Sequence, residues 1–264
     1  MERIMAEQNY VELRYVNKKY KDFQASDDIN FGIGKGKLVG LLGPSGSGKT
    51  TILRMLAGLE HADSGEIIID GRVVNDVPAS ERGIGFVFQN YALFRYMTVY
   101  DNIAFGLDVK KWKKADIRRR VDELVELVGL KGFEKRYPNQ LSGGQRQRAW
   151  IAMTLAQETE MILLDEPTTY LDMAYQLDVL QLLERMNREK QLTIVMVLHD
   201  LNEACRFADH IIGLKNGKVV CEGKPADVIT RENIREIYGI DAKLVMSDGG
   251  YPICMEFDRV IKTL

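Results

Sequence analysis

Hydrophobic positions in residues 11–42 come in short alternating runs, broken by GIGKGK and closing on the unbroken apolar run LVGLLG at 38–43. Alternation with a period of two predicts strands buried on one face, and the unbroken run predicts a strand buried on both. The period then changes: Ile52, Leu53, Met55, Leu56 and Leu59 share one face of a helix over 50–59. The stretch GEIIIDGRVV at 65–74 predicts a hairpin turning on Asp70 and Gly71. From Gln89 to about residue 158 helical periods take over, clearest at 115–130, where Ile117, Val121, Leu124, Val125 and Val128 align. Apolar strands return in MILLDE at 161–166 and LTIVMVLHD at 192–200, on either side of a helix at 173–189, and IIGLKNGKVVCEG predicts a short antiparallel piece. The pattern is that of one α/β domain over 1–264 with an antiparallel β piece, its core drawn from 1–88 and 159–264 and a helical subdomain inserted at 89–158. The tail at 241–264 is too short to be a domain, and no repeat or linker interrupts the chain.

Composition narrows the function classes. With 36 Lys and Arg against 38 Asp and Glu, the formal charge is −2, so no basic field recruits nucleic acid or anionic lipid. The basic run KKWKK at 110–114 reads as a solvated face. Cys205, Cys221 and Cys254 are odd in number and form no C-x-x-C pair, which suits buried thiols in a reducing compartment. No apolar leader opens the chain and no stretch offers the roughly 18 apolar residues of a membrane span, so the expected location is cytoplasmic.

Candidate chemistry begins at GPSGSGKT, residues 43–50, which follows a predicted strand and opens a predicted helix. In this G-x-x-x-x-G-K-[ST] pattern the amides of Gly43, Pro44, Ser45, Gly46, Ser47, Gly48, Lys49, Thr50 and Thr51, where present, wrap phosphates. Lys49 reaches the β- and γ-phosphates, the Thr50 hydroxyl ligates Mg²⁺, and the helix N-terminus adds partial positive charge. MILLDE places Asp165 and Glu166 at the C-terminal edge of a buried strand, where α/β ligand sites lie. Asp165 is expected to hold Mg²⁺ and Glu166 to polarise the attacking water as general base. His199 closes another apolar strand and is placed to reach the γ-phosphate, while Gln89 closes GIGFVFQ and is placed to sense Mg²⁺ or the water. A histidine or glutamine at a strand end is ordinarily structural; only the company of the other motifs raises these two, and His61 and His210 have no such company.

A second glycine turn, LSGGQRQR at 141–148, offers Ser142, Gly143, Gly144 and Gln145 ahead of a helix. Alone it is a helix cap. Since residues 43–50 already hold phosphates, a second turn in another subdomain is read as reaching a nucleotide held by a second copy of the chain, placed head to tail.

In content and order these motifs resemble the ATP-binding cassette (ABC) ATPases across nearly the whole chain: Walker A at 43–50, Gln89, LSGGQ at 141–145, Walker B at 161–166, the D-loop Asp172 and the switch His199. The resemblance implies ATP and Mg²⁺ as cofactors, Asp172 at the nucleotide interface, and an aromatic ring on the adenine, Tyr20 at the expected place or Phe23 as alternative. It implies a homodimer that closes on two ATP and drives separate membrane permease subunits from the inner face of the membrane, without touching the solute. A separate ATPase peptide fits an importer. Residues to about 148 look like sulfate/thiosulfate importer ATPases, whereas WIAMTLAQETEMILLDEPTTYLD and VMVLHDLNEACRFADHI look like iron–siderophore importer ATPases. The sulfate type would also read closer to FGALD and carry a C-terminal regulatory domain that these residues do not include. The expectation is a mosaic, natural or engineered, switching near 145–150, with a recombined ATP-binding domain lacking a permease as one alternative. A soluble ABC ATPase that moves no solute is the other; such chains usually carry two cassettes or a long coiled coil.

Overall fold

The structure is a computed structural model and describes residues 9–89 and 93–259. In chain order the elements begin with β1 (Val11–Tyr20), β2 (Phe23–Ile33), β3 (Leu38–Leu42), α1 (Lys49–Ala57), β4 (Ser64–Ile69), β5 (Arg72–Val73) and β6 (Ile84–Val87). There follow α2 (Val99–Val109), α3 (Lys114–Leu127), α4 (Gly143–Ala156), β7 (Met161–Leu164), α5 (Met173–Lys190) and β8 (Thr193–Val197). The last elements are α6 (Leu201–Phe207), β9 (His210–Lys215), β10 (Lys218–Gly223), α7 (Pro225–Val228), α8 (Arg231–Tyr238), β11 (Ile240–Met246) and β12 (Pro252–Arg259).

The central sheet runs β10-β9-β3-β8-β7-β6, parallel except for the β10 edge. Its middle strands are buried on both faces, which is why they read as unbroken apolar runs. Alternate side chains feed different cores: Leu38, Ile162, Leu164, Ile194 and Met196 pack with the helices α2–α5. Val39, Leu41, Met161, Leu163, Val195 and Val197 pack instead with α1 and the antiparallel sheet β2-β1-β4-β5. The sheet is thus the shared wall of two hydrophobic layers.

The hairpin predicted at 65–74 is β4–β5, and its turn residues Asp70 (φ 49°) and Gly71 (φ 73°) both take positive φ, the type I′ requirement. One expectation changes. The helix predicted to 59 stops at Ala57, because Gly58 turns left-handed (φ 75°) and its N–H folds back to Met55; Leu59 lies beyond the cap, 46% exposed instead of buried. In the tail, β11 and β12 pair as an antiparallel hairpin through Arg259, with β12 against α6.

Candidate functional site

The turn between β3 and α1 is shaped by glycines where no other residue fits. Gly48 (φ 98°) caps α1, and a Cβ there would overlap the Ala25 carbonyl oxygen; at Gly43 (φ 146°) a Cβ would overlap that of Leu214. Lys49 opens α1 with its side chain buried in the turn, donating to the carbonyls of Gly43 (2.7 Å) and Pro44 (2.9 Å). Burial pulls its pKa down against the opposing charges of Glu166 and Asp165. The turn therefore presents a cation and the N-terminus of α1 in one place, which suits an anion.

Glu166 stands two residues past the end of β7 at Leu164 and takes a left-handed backbone (φ 54°), uncommon for a side chain of this size. Three groups hold its carboxylate: Gln89 Nε2 donates to Oε2 (2.5 Å), Thr169 Oγ1 donates to Oε2 (3.1 Å), and His199 Nε2 lies 2.7 Å from Oε1. Gln89 comes from the end of β6, His199 from the end of β8 and Glu166 from the end of β7, so three parallel strands aim their C-terminal ends at one point. Thr169 was not singled out in the sequence; its position three residues after Glu166 in a tight turn is the only signal.

Asp165 is buried and receives the Thr50 hydroxyl at 2.9 Å. Desolvation raises its pKa, with the Thr50 hydrogen bond opposing. A hydroxyl and a buried carboxylate side by side form an all-oxygen pair that fits Mg²⁺, an ion that keeps most of its shell for waters and phosphate. Among the described residues no group of three or more His, Cys, Asp or Glu is placed to hold a metal ion. Gln89 does not join this pair; its amide is on Glu166.

A cavity of about 280 Å³ is lined by Phe23, Ser45, Gly46, Ser47, Gly48, Lys49, Thr50, Thr51, Glu166 and His199. Tyr20 is not part of the lining: its hydroxyl donates to Glu60 (2.8 Å) and Lys18 lies over its ring, although the hydroxyl also meets Thr51. The exposed ring at the cavity is that of Phe23.

The second glycine turn lies elsewhere. Ser142 caps α4 in a reciprocal box, its hydroxyl accepting from Gln145 N–H (3.2 Å) and Gln145 Oε1 accepting from Ser142 N–H (3.0 Å). Gly143 and Gly144 fill the first turn, whose amides have no partner within the helix. Gly144 packs so closely on α5 that a Cβ would stand 2.9 Å from Tyr175 Cγ, and one on Gly143 would stand 3.4 Å from Leu171 Cδ2. Asp172 caps α5, accepting from Tyr175 N–H at 3.2 Å. Ser142, Gly143, Gly144, Gln145 and Asp172 thus form one neighbourhood, and none of them lines the cavity at the first turn. His210 pairs with Glu222 (3.2 Å), away from both turns.

A glycine turn between a buried parallel strand and a helix, with carboxylates at the end of a neighbouring strand, defines a P-loop nucleotide-binding α/β fold. The model of the ABC transporter family matches residues 26–169, and this chain belongs to that family. It is 51% identical over 211 residues to the sulfate/thiosulfate import ATP-binding protein CysA of Mycobacterium tuberculosis strain H37Rv, covering 80% of this chain and 60% of that protein. The Synechococcus elongatus CysA is 47% identical over 218 residues, 83% of this chain and 63% of that protein. The chain spans about 60% of the length of these curated relatives. Among solved structures, the dimeric post-hydrolysis state of the ATP-binding cassette MJ0796 bound to ADP and Pi superposes with a TM-score of 0.74 at 38% identity, covering 81% of this chain and 98% of that one. CbiO1 of Clostridium perfringens, part of the ABC transporter complex cbiONQ, gives a TM-score of 0.80 at 29% identity, covering 87% and 94%.

Proposed function

We propose that this chain hydrolyses ATP as the nucleotide-binding subunit of an ABC importer, working as a homodimer at the cytoplasmic face of the membrane. The observation that carries this reading is the convergence of Gln89, His199 and Thr169 on Glu166 at the rim of the cavity formed by Ser45–Thr51. That is the arrangement of a held carboxylate facing a bound γ-phosphate.

In this reading the phosphates lie along Gly43–Thr51, and Lys49 exchanges its bonds to the Gly43 and Pro44 carbonyls for phosphate oxygens. Thr50 and Asp165 would hold Mg²⁺, which would supply charge neutralisation to the phosphates. Glu166 takes the proton of the attacking water, while Gln89 and His199 keep its oxygens aimed. Phe23 or Tyr20 flanks the adenine. Ser142, Gly143 and Gly144, with Asp172 beside them, act on the nucleotide of the other copy, because they lie outside their own chain's cavity.

Coupling to the permease falls to a groove of about 900 Å³ lined by Leu93, Arg95, Tyr96, Tyr137, Pro138 and Arg146, four residues beyond Gln89 at its nearest. Tyr96 is 96% exposed there, a large ring placed where a partner would cover it. Among the described residues no helix is long and apolar enough to cross a membrane; in this reading the solute path belongs to the permease subunits.

The solute class we infer is sulfate-like, from the CysA relatives. A match of 211 residues in a chain of 264 leaves at most 53 outside it, so it runs across 145–150 wherever it starts. The mosaic with a siderophore-type second half therefore draws no support from these relatives; stimulation by a siderophore-type permease and not by a sulfate-type one would revive it.

The test is the Mg²⁺-ATPase rate of the purified chain against its own concentration. Specific activity should climb with concentration, and Glu166→Gln should lower it by about 10²–10⁴-fold with ATP binding retained, the usual contribution of a general base. Hydrolysis at the parent rate in Glu166→Gln would remove Glu166 from the role; a rate per chain that ignores concentration would remove the shared site.

A further inference from the structure

Cys205 and Cys254 belong to no part of the nucleotide site, yet the fold brings them together. Cys205 is on α6, the helix that starts two residues after His199, and Cys254 is in β12 of the C-terminal hairpin. Asn202 ties the strand to the helix at two points: its Nδ2 donates to the Cys254 carbonyl (3.1 Å), and the Cys254 N–H donates to its Oδ1 (2.7 Å). Cys205 lies three residues on, one turn further along the same face of α6, so its side chain meets the strand where Cys254 points inward. The thiols are 2% and 3% exposed and are hydrogen-bond partners of each other. Cys221, on β10, is outside this pair.

From this geometry we propose that Cys205 and Cys254 form a reversible dithiol–disulfide site, which a peroxide oxidises to staple the β11–β12 hairpin onto the helix that follows His199. Two thiols already in contact need only a small approach to reach the 2.05 Å of an S–S bond. Whichever of the two ionises is held by a hydrogen bond from the other, and Cys254, carried on the hairpin, meets the oxidant as the nucleophile.

The Cys254 thiolate attacks one oxygen of hydrogen peroxide; the O–O bond breaks, hydroxide leaves and takes up the thiol's proton as water, and a sulfenic acid remains. The Cys205 sulfur then attacks that sulfur, the S–O bond breaks, and a second water departs with the Cys205 proton. Two electrons pass from the sulfurs to one peroxide, and a dithiol reductant reverses the step by exchange. Entry of the oxidant requires local opening of the hairpin. Among the described residues its two strands pair only with each other, and Val245, Met246, Met255 and Phe257 lie exposed along it, features of a segment that opens below the global unfolding free energy.

The test treats the full chain with hydrogen peroxide, blocks free thiols under denaturing conditions and maps peptides without reduction. The expected product is one peptide pair linking Cys205 to Cys254, two hydrogens lighter than its reduced parts, with Cys221 blocked as a free thiol. The oxidised chain should melt about 5–15 °C higher, since the link constrains the unfolded chain between positions 205 and 254, and dithiothreitol should return it. Sulfoxide at the exposed Met173 and Met246 reports that oxidant was present. Those sulfoxides with both cysteines still free, a sulfinic acid at Cys254, or a link through Cys221 or between chains would each overturn the proposal. Cys205→Ser removes the link in a chain whose fold is checked by circular dichroism, and the mapping of the unsubstituted chain stands without it.

Discussion

Gly144 offers a place where packing and chemistry make the same demand and can be separated. It is the second residue of α4 and is not left-handed, so helix propensity alone says that alanine there should stabilise by up to about 1 kcal/mol. Packing says the opposite. A Cβ would stand 2.9, 3.0 and 3.2 Å from Tyr175 Cγ, Cδ1 and Cβ, at the root of that side chain and not its movable end. Overpacking of this kind costs about 1–3 kcal/mol, so the net for Gly144→Ala is a loss of about 1–2 kcal/mol and a melting point lower by roughly 3–6 °C. Urea unfolding of the parent, Gly144→Ala, Tyr175→Ala and the double variant closes a cycle, in which the clash predicts a coupling of at least about 1 kcal/mol in favour of the double. Additive effects, or a Gly144→Ala chain as stable as the parent, would refute the packing account. If the double variant regains stability but not ATP turnover, the bare backbone at 144 serves the nucleotide as well.

Arg82→Ala should cost about 2–3 kcal/mol by urea unfolding. Its guanidinium donates to the carbonyls of Val77 (2.8 Å), Met55 (2.7 Å), Leu56 (2.9 Å) and Asn75 (3.2 Å), closing the C-terminal end of the P-loop helix; a loss under 0.5 kcal/mol would mean these bonds are matched by water. Phe23→Ala should weaken ATP binding about tenfold, on the scale of one ring–base stack, and more than Tyr20→Ala, because Phe23 lines the cavity. Titration with a fluorescent ATP analogue decides it, and a larger loss for Tyr20→Ala would reverse the assignment. Burial first, then the charge of Asp200, raises the pKa of Glu203 on α6 despite its bond from Thr168 (3.3 Å). A raised carboxyl favours the native state at acidic pH, and that contribution is lost as pH rises through it. Glu203→Gln should therefore exceed the parent in stability at neutral pH and converge with it toward pH 4; parallel stability curves from pH 4 to 8 would show that Glu203 is solvated.

The parallel core was legible because its signal is strong and local. Strands such as β3 and β8, buried on both faces, must be apolar throughout, and the glycine turn after β3 has a fixed spacing. Glu166 and His199 could be placed because each ends such a strand. What the sequence hid depends on three-dimensional neighbours. Leu59 continued the helical period, yet Gly58 could turn left-handed and did. Thr169 holds Glu166 from within a turn that has no period to read. The β11–β12 hairpin alternates weakly, since Val245, Met246, Met255 and Phe257 lie in the open along it, and the Asn202 amide ties it to α6. Gly144 was legible as a bare amide and not as the seat of Tyr175, because close approach between α4 and α5 leaves no trace in either helix alone.

That close approach also bears on the proposal that two chains share each site. The turn at Ser142–Gly144 is backed by Leu171 and Tyr175, and α4 behind it is anchored by Trp150, Ile151, Ala152 and Leu155 in the core. The turn is therefore fixed to the D-loop and α5, and a local flexing that carried it to Lys49 would have to strip that helix of its core. A twofold axis meets the demand without deformation. In the homodimer proposed above it would place the Ser142–Gly144 turn of each copy against the P-loop cavity of the other, so that two identical surfaces would complete two identical sites. On the same proposal the rigidity would give a route for transmission, because a nucleotide gripped by that turn would pull on α4 and α5 as one body. The groove at Tyr96, Tyr137 and Arg146 shares α4 with the turn and would move with it.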